Sequence, residues 1–270
     1  MASPVSQHPS GLPIRVGSVS RCAFWLMLVL CLPLCSLAKA LAVGSHSTLV
    51  TVNAASYIPQ LAPGAIAALF GNRFSDATQI AETVPLPTVL HGLSVRLVDS
   101  QNDIFSAPLF FISPGQINYL VPDQIALGEA RVYVTQGTDL LAQGTLLINN
   151  SAPALFTCAA NGKGEPAALT TSDGETFFAV ADHASRAIKT AQPPQFLLLF
   201  GTGFRYAERL YVKLGQAELK PVYVGAQGVL AGLDQINLVL PPDLPPGLLN
   251  LQIISDGYAS NQVQVWLAGE

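Results

Sequence analysis

The sequence predicts an all-β protein of two tandem β-sandwiches behind an N-terminal signal segment. Three observations support this fold class. Beyond residue 40 the apolar side chains alternate with period two, Gly and Pro interrupt the alternating stretches at intervals typical of sandwiches, and two short strings occur twice in the same order. The chain has 270 residues, 22 of them Gly and 20 Pro, which is enough for two domains of modest size.

The first predicted element is a signal peptide at residues 1–40. It has two arginines and no acidic residue before an apolar run at residues 23–38, and it ends in Ala38-Lys39-Ala40, a pattern suited to cleavage after Ala40. A membrane-spanning helix needs about 20 apolar residues, so an uncleaved membrane anchor is the alternative. We expect a protein that is secreted or held at the cell surface.

Composition narrows the classes of partner. Without residues 1–40 the chain has 10 basic and 17 acidic residues, and this acidic excess argues against nucleic acid as a binding partner. Only 11% of residues are charged, against a usual value of about 25%, so broad uncharged faces should pack on each other or on a partner. Cys158 is then the one remaining cysteine, which excludes an internal disulfide. It is predicted to be a small buried or half-buried apolar residue, with a nucleophile as the alternative.

The predicted strands follow the period-two alternation, which puts one face of each strand in a core and the other in solvent. Asp173-Gly174 predicts a hairpin turn, and no stretch beyond the signal segment predicts a long amphipathic helix. The clearest strands are residues 93–98, 130–135, 144–148, 210–214, 250–254 and 262–267.

An internal duplication divides the chain. Residues 69–74 (LFGNRF) match residues 199–204 (LFGTGF), and Gln116-Ile117-Asn118 matches Gln235-Ile236-Asn237. The offset falls from 130 to 119, so the second unit has lost eleven residues, which we place around residues 99–106. Units of about 110 residues are of immunoglobulin-domain size. We expect the first sandwich at residues 41–155 and the second at residues 156–270.

Several strings carry a resemblance to known families. They resemble the signature strings of an uncharacterised domain family found at the C-termini of secreted acidobacterial proteins, and the match covers nearly all of the chain beyond about residue 51. Each half also resembles the IPT/TIG immunoglobulin-like domain. The resemblance implies export and tandem immunoglobulin-like (IPT/TIG-like) sandwiches, and it implies no activity or catalytic residues. The strings are residues 53–57 (NAASY), 62–64 (APG), 85–87 (PLP), 107–118 (APLFFISPGQIN), 152–156 (APALF) and 199–204 (LFGTGF).

The sequence contains no familiar catalytic or metal-binding motif. There is no Gly-x-Ser-x-Gly, no His-Glu-x-x-His, no P-loop and no cysteine pair for zinc, and His46, His91 and His183 have no ligand spacing. Residues 196–203 resemble the start of a dinucleotide site, but Tyr206 replaces the third glycine, so a sandwich turn is favoured over a phosphate cradle. We expect no cofactor and no enzymatic activity.

The candidate binding residues are amides and aromatics. Gln116, Asn118, Gln235 and Asn237 should lie on the strand faces opposite the cores, where they either bond backbone groups of a neighbouring loop or form a ladder that reads a ligand. Three aromatics could stack on sugar rings: Tyr206, Tyr211 and Trp266, the last either half-exposed or covered by the neighbouring unit. The loop from Asp99 to Asp103 is predicted to be a solvated hairpin turn, with calcium binding as the alternative.

These observations favour a secreted, non-enzymatic adhesion, scaffold or surface-interaction module with an unknown protein or polysaccharide partner. No nucleic-acid partner is expected, and a membrane is expected only if the signal segment remains uncleaved. Two alternatives stay open. One is a module that binds extracellular polysaccharide, and the other is a hydrolase with a site between the two units.

Overall fold

The structure, a computed structural model, describes residues 47–180, 188 and 195–268. The predicted signal peptide lies outside these residues. Within them every regular element is a β-strand, and the strands form four sheets whose neighbours are antiparallel, except that β1 (Ser47–Thr48) runs parallel to β11 (Asp139–Ile148). The predicted all-β fold class is confirmed. The described part of the chain contains no helix long and apolar enough to cross a membrane.

The first half of the described chain forms two facing sheets. Sheet 1 has the strand order β1-β11-β10-β6-β5 with β7 beside β6, and sheet 2 has the order β2-β3-β9-β8-β4. The strands between β1 and β11 are β2 (Val50–Asn53), β3 (Ile66–Phe70), β4 (Gln79–Ile80), β5 (Val89–Leu90), β6 (Leu93–Val98), β7 (Ile104–Ser106), β8 (Leu109–Ile112), β9 (Gln116–Leu120) and β10 (Gly128–Gln136).

The second half repeats this arrangement. Sheet 3 has the order β14-β13-β15-β19-β18 with β12 beside β15, and sheet 4 has the order β17-β16-β20-β21 with β22 also beside β20. Its strands are β12 (Ala154–Leu155), β13 (Ala168–Thr171), β14 (Phe178–Ala179), β15 (Gln195–Thr202), β16 (Leu210–Leu214), β17 (Ala217–Leu219), β18 (Tyr223–Ala226), β19 (Asp234–Leu240), β20 (Gly247–Ser255), β21 (Tyr258–Ala259) and β22 (Val263–Leu267).

Each pair of sheets encloses its own core. In the first sandwich, Val95, Ile117 and Val132 come from β6, β9 and β10 and are fully buried between sheets 1 and 2. Val212 and Ile236 hold corresponding places between sheets 3 and 4. Burial of an aliphatic side chain of this size contributes about 1.5–3 kcal/mol before the entropy of ordering is counted, so each core can stabilise its sandwich without a disulfide.

A third apolar cluster, called here the shared layer, lies between sheets 2 and 3 and joins the two sandwiches. The sheets therefore stack in the order 1, 2, 3, 4. Apolar side chains on both faces of the two inner sheets account for part of the low charge of the chain. The shared layer contains Ala55, Ile66, Phe110, Phe111, Ala154, Phe156, Ala167, Leu169, Leu198, Phe200 and Leu233.

The strand predictions are confirmed. All six predicted stretches fall within observed strands, with an offset of at most one residue at their ends. The hairpin at Asp173-Gly174 is also present, because Leu169 pairs with Ala179 in β14 and Gly174 has a φ of 75°. The carboxylate of Asp173 accepts hydrogen bonds from the N–H groups of Glu175 and Thr176, which closes the turn.

The predicted position of the deletion is wrong. Leu93 follows Phe74 by 19 positions, but Leu210 follows Phe204, the equivalent residue of the second unit, by only six. The main loss therefore lies in the segment that carries β4 and β5, rather than around residues 99–106. The number of positions between equivalent residues of the two units then rises again, because the loop between β18 and β19 is longer than its counterpart between β8 and β9. That longer loop supplies Leu233 to the shared layer.

Both copies of the Leu-Phe-Gly string form the same turn. Phe74 and Phe204 are buried in the two cores, and a Cβ added to Gly71 or Gly201 would come within 3 Å of the ring of that phenylalanine. Gly203 has a φ of 84°, and a Cβ there would lie 2.3 Å from the carbonyl oxygen of Ala152. The prediction of a sandwich turn with a close loop approach is confirmed.

Candidate functional site

Loop and strand residues fix the junction between the two sandwiches. The hydroxyl of Thr202 accepts a hydrogen bond from the N–H of Ile66 at 2.9 Å and donates one to the carbonyl of Gly232 at 2.8 Å. Asn53 is buried on the other side of the junction, where its Nδ2 donates to the carbonyl of Ala152 at 3.2 Å. Unpaired backbone groups are costly away from water, so these side chains make the junction specific as well as apolar.

The two Gln-x-Asn pairs lie on the inner sheets, as the alternation predicts, with their side chains opposite the cores. Within each pair the Nε2 of the glutamine donates to the Oδ1 of the asparagine, at 2.8 Å for Gln116 and Asn118 and at 2.7 Å for Gln235 and Asn237. The prediction that these amides bond backbone groups of a neighbouring loop is therefore wrong for these contacts. Each pair instead bridges two residues of its own strand.

The position of the amides also bears on the alternative of a ligand-reading ladder. Asn237 pairs across the sheet with Leu198, and Gln235 pairs with Phe200, and both of these apolar residues belong to the shared layer. Gln235 and Asn237 are buried, whereas Asn118 is half-buried. The second pair thus faces protein rather than solvent, and it offers no surface on which a ligand could dock.

A second polar group at the junction is built around Asp234, the first residue of β19. Its Oδ2 accepts hydrogen bonds from the N–H groups of Phe204 and Arg205, and its Oδ1 accepts one from the Arg205 guanidinium. The hydroxyl of Tyr206, which follows Arg205 in the chain, donates a hydrogen bond to Oδ1 of Asp123 in the first sandwich at 3.0 Å. The group thereby connects the turn after β15 with both sandwiches.

Burial decides the electrostatics of this group. It raises the pKa of Asp234 to about 6, although the Arg205 charge and three hydrogen bonds act in the opposite direction. The pKa of the Tyr206 hydroxyl is also raised, mainly by partial burial and then by its hydrogen bond to Asp123. Both oxygens of Asp234 are engaged in holding the turn, so the structure gives this carboxylate a positioning role.

The outer face of sheet 4 carries the other two predicted aromatics. Tyr211 lies opposite Ile254, and Trp266 lies opposite the exposed Leu248, at the two ends of β20. Leu248 and Ile254 are six positions apart along β20, which corresponds to about 20 Å. Trp266 is 38% exposed, so of the two predicted surroundings it has the half-exposed one.

Polar side chains fill the interval between these two aromatics. The Nε2 of Gln264 donates to the Oδ1 of Asn250 at 3.1 Å, and the ammonium of Lys213 lies 5.9 Å from the centre of the Tyr211 ring. The structure thus places Tyr211 and Trp266 on one surface, which we call the sheet 4 face. Tyr206 is not part of it, because its hydroxyl points to the first sandwich.

The outer face of sheet 1 carries a group of side chains that no sequence motif singled out. Arg96 on β6 lies directly opposite Tyr133 on β10, and Arg131 is two residues from Tyr133 on the same side of that strand. Val95 and Val132 point the other way, into the first core. We call this surface the sheet 1 face. The period-two pattern already places its three side chains together in solvent, and a search for arginines on the outward positions would have found them.

Asp99 shapes a turn at the end of β6. Its two oxygens accept hydrogen bonds from the N–H groups of Gln101, Asp103 and Ala126, each at 2.9 Å, and the bond from Ala126 contributes most to lowering the pKa of Asp99. No group of three His, Cys, Asp or Glu side chains in the described ranges could hold a metal ion.

Two further residues singled out by the sequence lie on the surface. Cys158 is exposed rather than buried or half-buried, and its thiol lies 3.5 Å from the carbonyl of Pro166. The residue as a whole is exposed, but its sulfur atom is partly buried, and this burial raises the pKa of the thiol. His91 is exposed and contacts Asp76 at 3.1 Å. His46 and His183 lie outside the described residues.

Comparison with known proteins identifies no family: no protein-family model and no curated protein matches the chain. Similar solved structures include SGBP-B of the Bacteroides ovatus mixed-linkage glucan utilization locus in complex with a mixed-linkage heptasaccharide. The match has 11% identity and a TM-score of 0.36, over 84% of this chain and 46% of that one.

Two other similar structures are the BSP domain of a biofilm associated protein and the adhesin FdeC of Escherichia coli. The BSP domain matches with 11% identity and a TM-score of 0.29, over 83% of this chain and 29% of that one. FdeC matches with 13% identity and a TM-score of 0.26, over 85% of this chain and 67% of that one. This chain thus spans less than half the length of SGBP-B and of the biofilm associated protein.

Proposed function

We propose that the chain is a secreted or cell-surface, non-enzymatic surface-interaction module that recognises its partner with the outer faces of its stack. The observation that carries this proposal is the burial of the inner faces. Sheets 2 and 3 cover each other through the shared layer, whereas sheets 1 and 4 each keep one face in solvent. Recognition by the module would therefore use the outward side chains of these two sheets.

The use of the junction residues supports a non-enzymatic role. A hydrolase between the two units would need carboxylates free to exchange protons or to attack a substrate. Both oxygens of Asp234 instead accept hydrogen bonds from Phe204 and Arg205. The carboxylate of Asp123 accepts a hydrogen bond from the hydroxyl of Tyr206. A screen of the purified protein for hydrolase activity tests this part. An activity that disappears in Asp123→Asn, with folding intact, would overturn it.

Polysaccharide is the second candidate function, and the sheet 4 face favours it. Sugar rings stack on flat aromatic side chains, and their hydroxyls bond to amides. Tyr211 and Trp266 bracket the amides of Asn250 and Gln264 along about 20 Å, so the face presents both kinds of group in one row. An extended chain of several sugar units would cover that row.

A glycan array tests the polysaccharide candidate. The array is probed with the unaltered protein, with Trp266→Ala and Tyr211→Ala, and with Phe178→Ala as a control that removes an exposed aromatic from β14 of sheet 3. We expect at least a tenfold loss of signal in the first two variants and none in the control. Absence of any signal, or equal signal from all variants, contradicts polysaccharide recognition by this face.

We also propose the finer points of origin and division. The chain would belong to the uncharacterised secreted family that its strings resemble, with two IPT/TIG-type sandwiches. Because β12 pairs with β15 of the second sandwich, we place the division between β11 and β12, a few residues before the predicted boundary of 41–155 and 156–270. The contacts of Asn53 and Thr202 support the resemblance, because both residues lie in signature strings and both tie the sandwiches together. N-terminal sequencing of the exported protein tests cleavage after Ala40, and recovery of an intact N-terminus contradicts it.

A further inference from the structure

We propose that the sheet 1 face is a second binding site, specific for an acidic polysaccharide whose sugar rings carry carboxylates, and that Arg96, Arg131 and Tyr133 hold it. The site is separate from the sheet 4 face and lies at the opposite end of the stack. Binding of an acidic polysaccharide at the sheet 1 face is therefore independent of neutral-glycan recognition by Tyr211 and Trp266.

The three side chains form a compact triangle on a rigid base. Arg96 and Tyr133 are direct cross-strand neighbours, and Arg131 lies diagonally from Arg96. Diagonal neighbours on one face of a sheet have Cα atoms about 7–8 Å apart and their side chains can reach each other. Beside them on the same face, the hydroxyls of Ser94 and Thr135 are bonded at 2.8 Å, which links β6 and β10 at the side-chain level as well as through the backbone.

The charges of the triangle are not neutralised by the protein. Arg96 and Arg131 are exposed, and neither forms an ion pair with a carboxylate among the described residues. The nearest partner of Arg131 is neutral, the amide oxygen of Asn102 at 3.3 Å from Nη2. Glu129, two residues along β10 on the same face, is the acidic side chain that the strand register brings closest. Two available guanidiniums on a chain with a net charge of -4 make this face locally attractive to anions.

The chemistry of the triangle matches a carboxylated sugar. A guanidinium binds a carboxylate through two parallel N–H donors, which an amide or an ammonium cannot reproduce. Tyr133 is half-buried between the two arginines and supplies a ring edge or face for stacking on a pyranose. The neighbouring outward positions Gln143 and Thr145 add groups that can bond to sugar hydroxyls.

A sheet face favours a polysaccharide over an acidic peptide. Peptides commonly bind to sheets by adding a strand at an open edge, where backbone N–H and C=O groups are available. Arg96 lies on β6, and Arg131 and Tyr133 lie on β10, both of which have neighbours on either side in sheet 1. Only side chains are available there, which suits a ligand read through its ring and its carboxylate.

The duplicated unit provides an internal comparison. Lys213 occupies the position of Arg96, and Asn250 and Gln252 occupy those of Arg131 and Tyr133. Lys213 has a carboxylate partner, Glu218, at 4.0 Å. The sheet 4 face thus lacks both arginines and the central tyrosine, and we expect it to contribute nothing to acidic-polysaccharide binding.

Binding of polygalacturonate to the whole protein tests the proposal, with titration calorimetry at low and at physiological salt as the measurement. The variants are Arg96→Gln, Arg131→Gln and Tyr133→Ala, and Arg209→Gln is the matched control because it removes an exposed arginine before β16. We expect about a tenfold loss of affinity for each arginine, a similar loss for Tyr133→Ala, and no change for the control. Dextran, which has no charge, should not bind at this face.

Three outcomes would overturn the proposal. If polygalacturonate does not bind even at low salt, the proposed site does not exist. Equal losses in Arg209→Gln and in the triangle variants would mean attraction by overall charge. Poly-L-glutamate that binds as tightly as polygalacturonate, with the same sensitivity to Tyr133→Ala, would assign the face to acidic peptides. Trp266→Ala should leave polygalacturonate affinity unchanged, which separates this result from failure of the sheet 4 face.

Discussion

The hydroxyl of Thr202 in the second sandwich accepts a hydrogen bond from the N–H of Ile66 in the first, at 2.9 Å, within a buried junction. Ile66 is the first residue of β3, and its N–H donates to this hydroxyl across the junction. The O–H of the same hydroxyl donates to the carbonyl of Gly232. One side chain thereby satisfies backbone groups of both sandwiches.

Thr202→Val should therefore destabilise the protein by about 1–3 kcal/mol, because it leaves a buried N–H and a buried carbonyl without this partner while keeping the volume of the side chain. Chemical denaturation measures the loss. Thr202→Ser keeps the hydroxyl and serves as the control, with an expected loss well below that of the valine variant. A loss in Thr202→Val no larger than the loss in Thr202→Ser would contradict this role of the hydroxyl.

Gly232 should be far less tolerant of a side chain than Gly228 in the same loop. Both have positive φ, 74° and 92°, so alanine costs about 1–2 kcal/mol of backbone strain at either position. A Cβ at Gly232 would also lie 2.5 Å from Cγ1 of Ile66, whereas none of the surrounding atoms comes within 4 Å at Gly228. We expect Gly232→Ala to lower the free energy of unfolding by at least 1 kcal/mol more than Gly228→Ala does. Equal losses would show that Ile66 can move away from the added Cβ at no cost in stability.

The duplicated asparagines should differ in importance. Asn237→Ala leaves the buried amide of Gln235 without its acceptor, at a cost of about 1–3 kcal/mol. Asn118→Ala removes the equivalent bond in the half-buried pair, where water can replace it, so the expected loss is below about 1 kcal/mol. Denaturation of the two variants side by side gives the comparison. A larger loss at Asn118 would contradict the assignment of Asn237 to the sandwich interface.

Asp234 should give the protein a distinctive dependence on pH. Its pKa is raised to about 6 in the folded chain from a reference of 3.8, so the folded state binds the proton more tightly than the unfolded state. The contribution of this group to stability is then fully present below about pH 4 and is lost as the pH rises to about 6, with a magnitude on the order of 3 kcal/mol.

The measurement is the free energy of unfolding from pH 4 to pH 7 in the unaltered protein and in Asp234→Asn. The variant is less stable throughout, since an amide cannot accept all three hydrogen bonds, and it should lack this part of the pH dependence. Parallel pH profiles for the two proteins would show that the Arg205 guanidinium keeps Asp234 ionised throughout the range.

Local sequence patterns were sufficient for the strands but not for their environment. Alternation placed Ile236 in a core and Gln235 on the opposite face, because side chains of a strand point to alternate sides. It could not say what covers that opposite face, since a face packed on a second sandwich and a face in solvent have the same period. The burial of Gln235 and Asn237 depends on apolar residues of other strands, among them Leu198 and Phe200.

The candidate site was predicted only in part for the same reason. The sequence identified Tyr211 and Trp266 as aromatics that could stack on sugar rings, but their common row required the register of β20 with β16 and β22. Tyr206 was grouped with them from proximity in the chain, and its hydroxyl bond to Asp123 separates it from that face. The deletion was misplaced because a change of offset reports the sum of several loop differences rather than their positions.

The order of the four sheets sets the geometry of binding at both ends. Packed sheets lie about 10 Å apart, so three intervals hold the sheet 1 and sheet 4 faces about 30 Å apart and pointing in opposite directions. A single strand of polymer cannot lie flat on both faces at once without wrapping around the stack. A chain occupied at both proposed sites would therefore cross-link a neutral polymer to an acidic one.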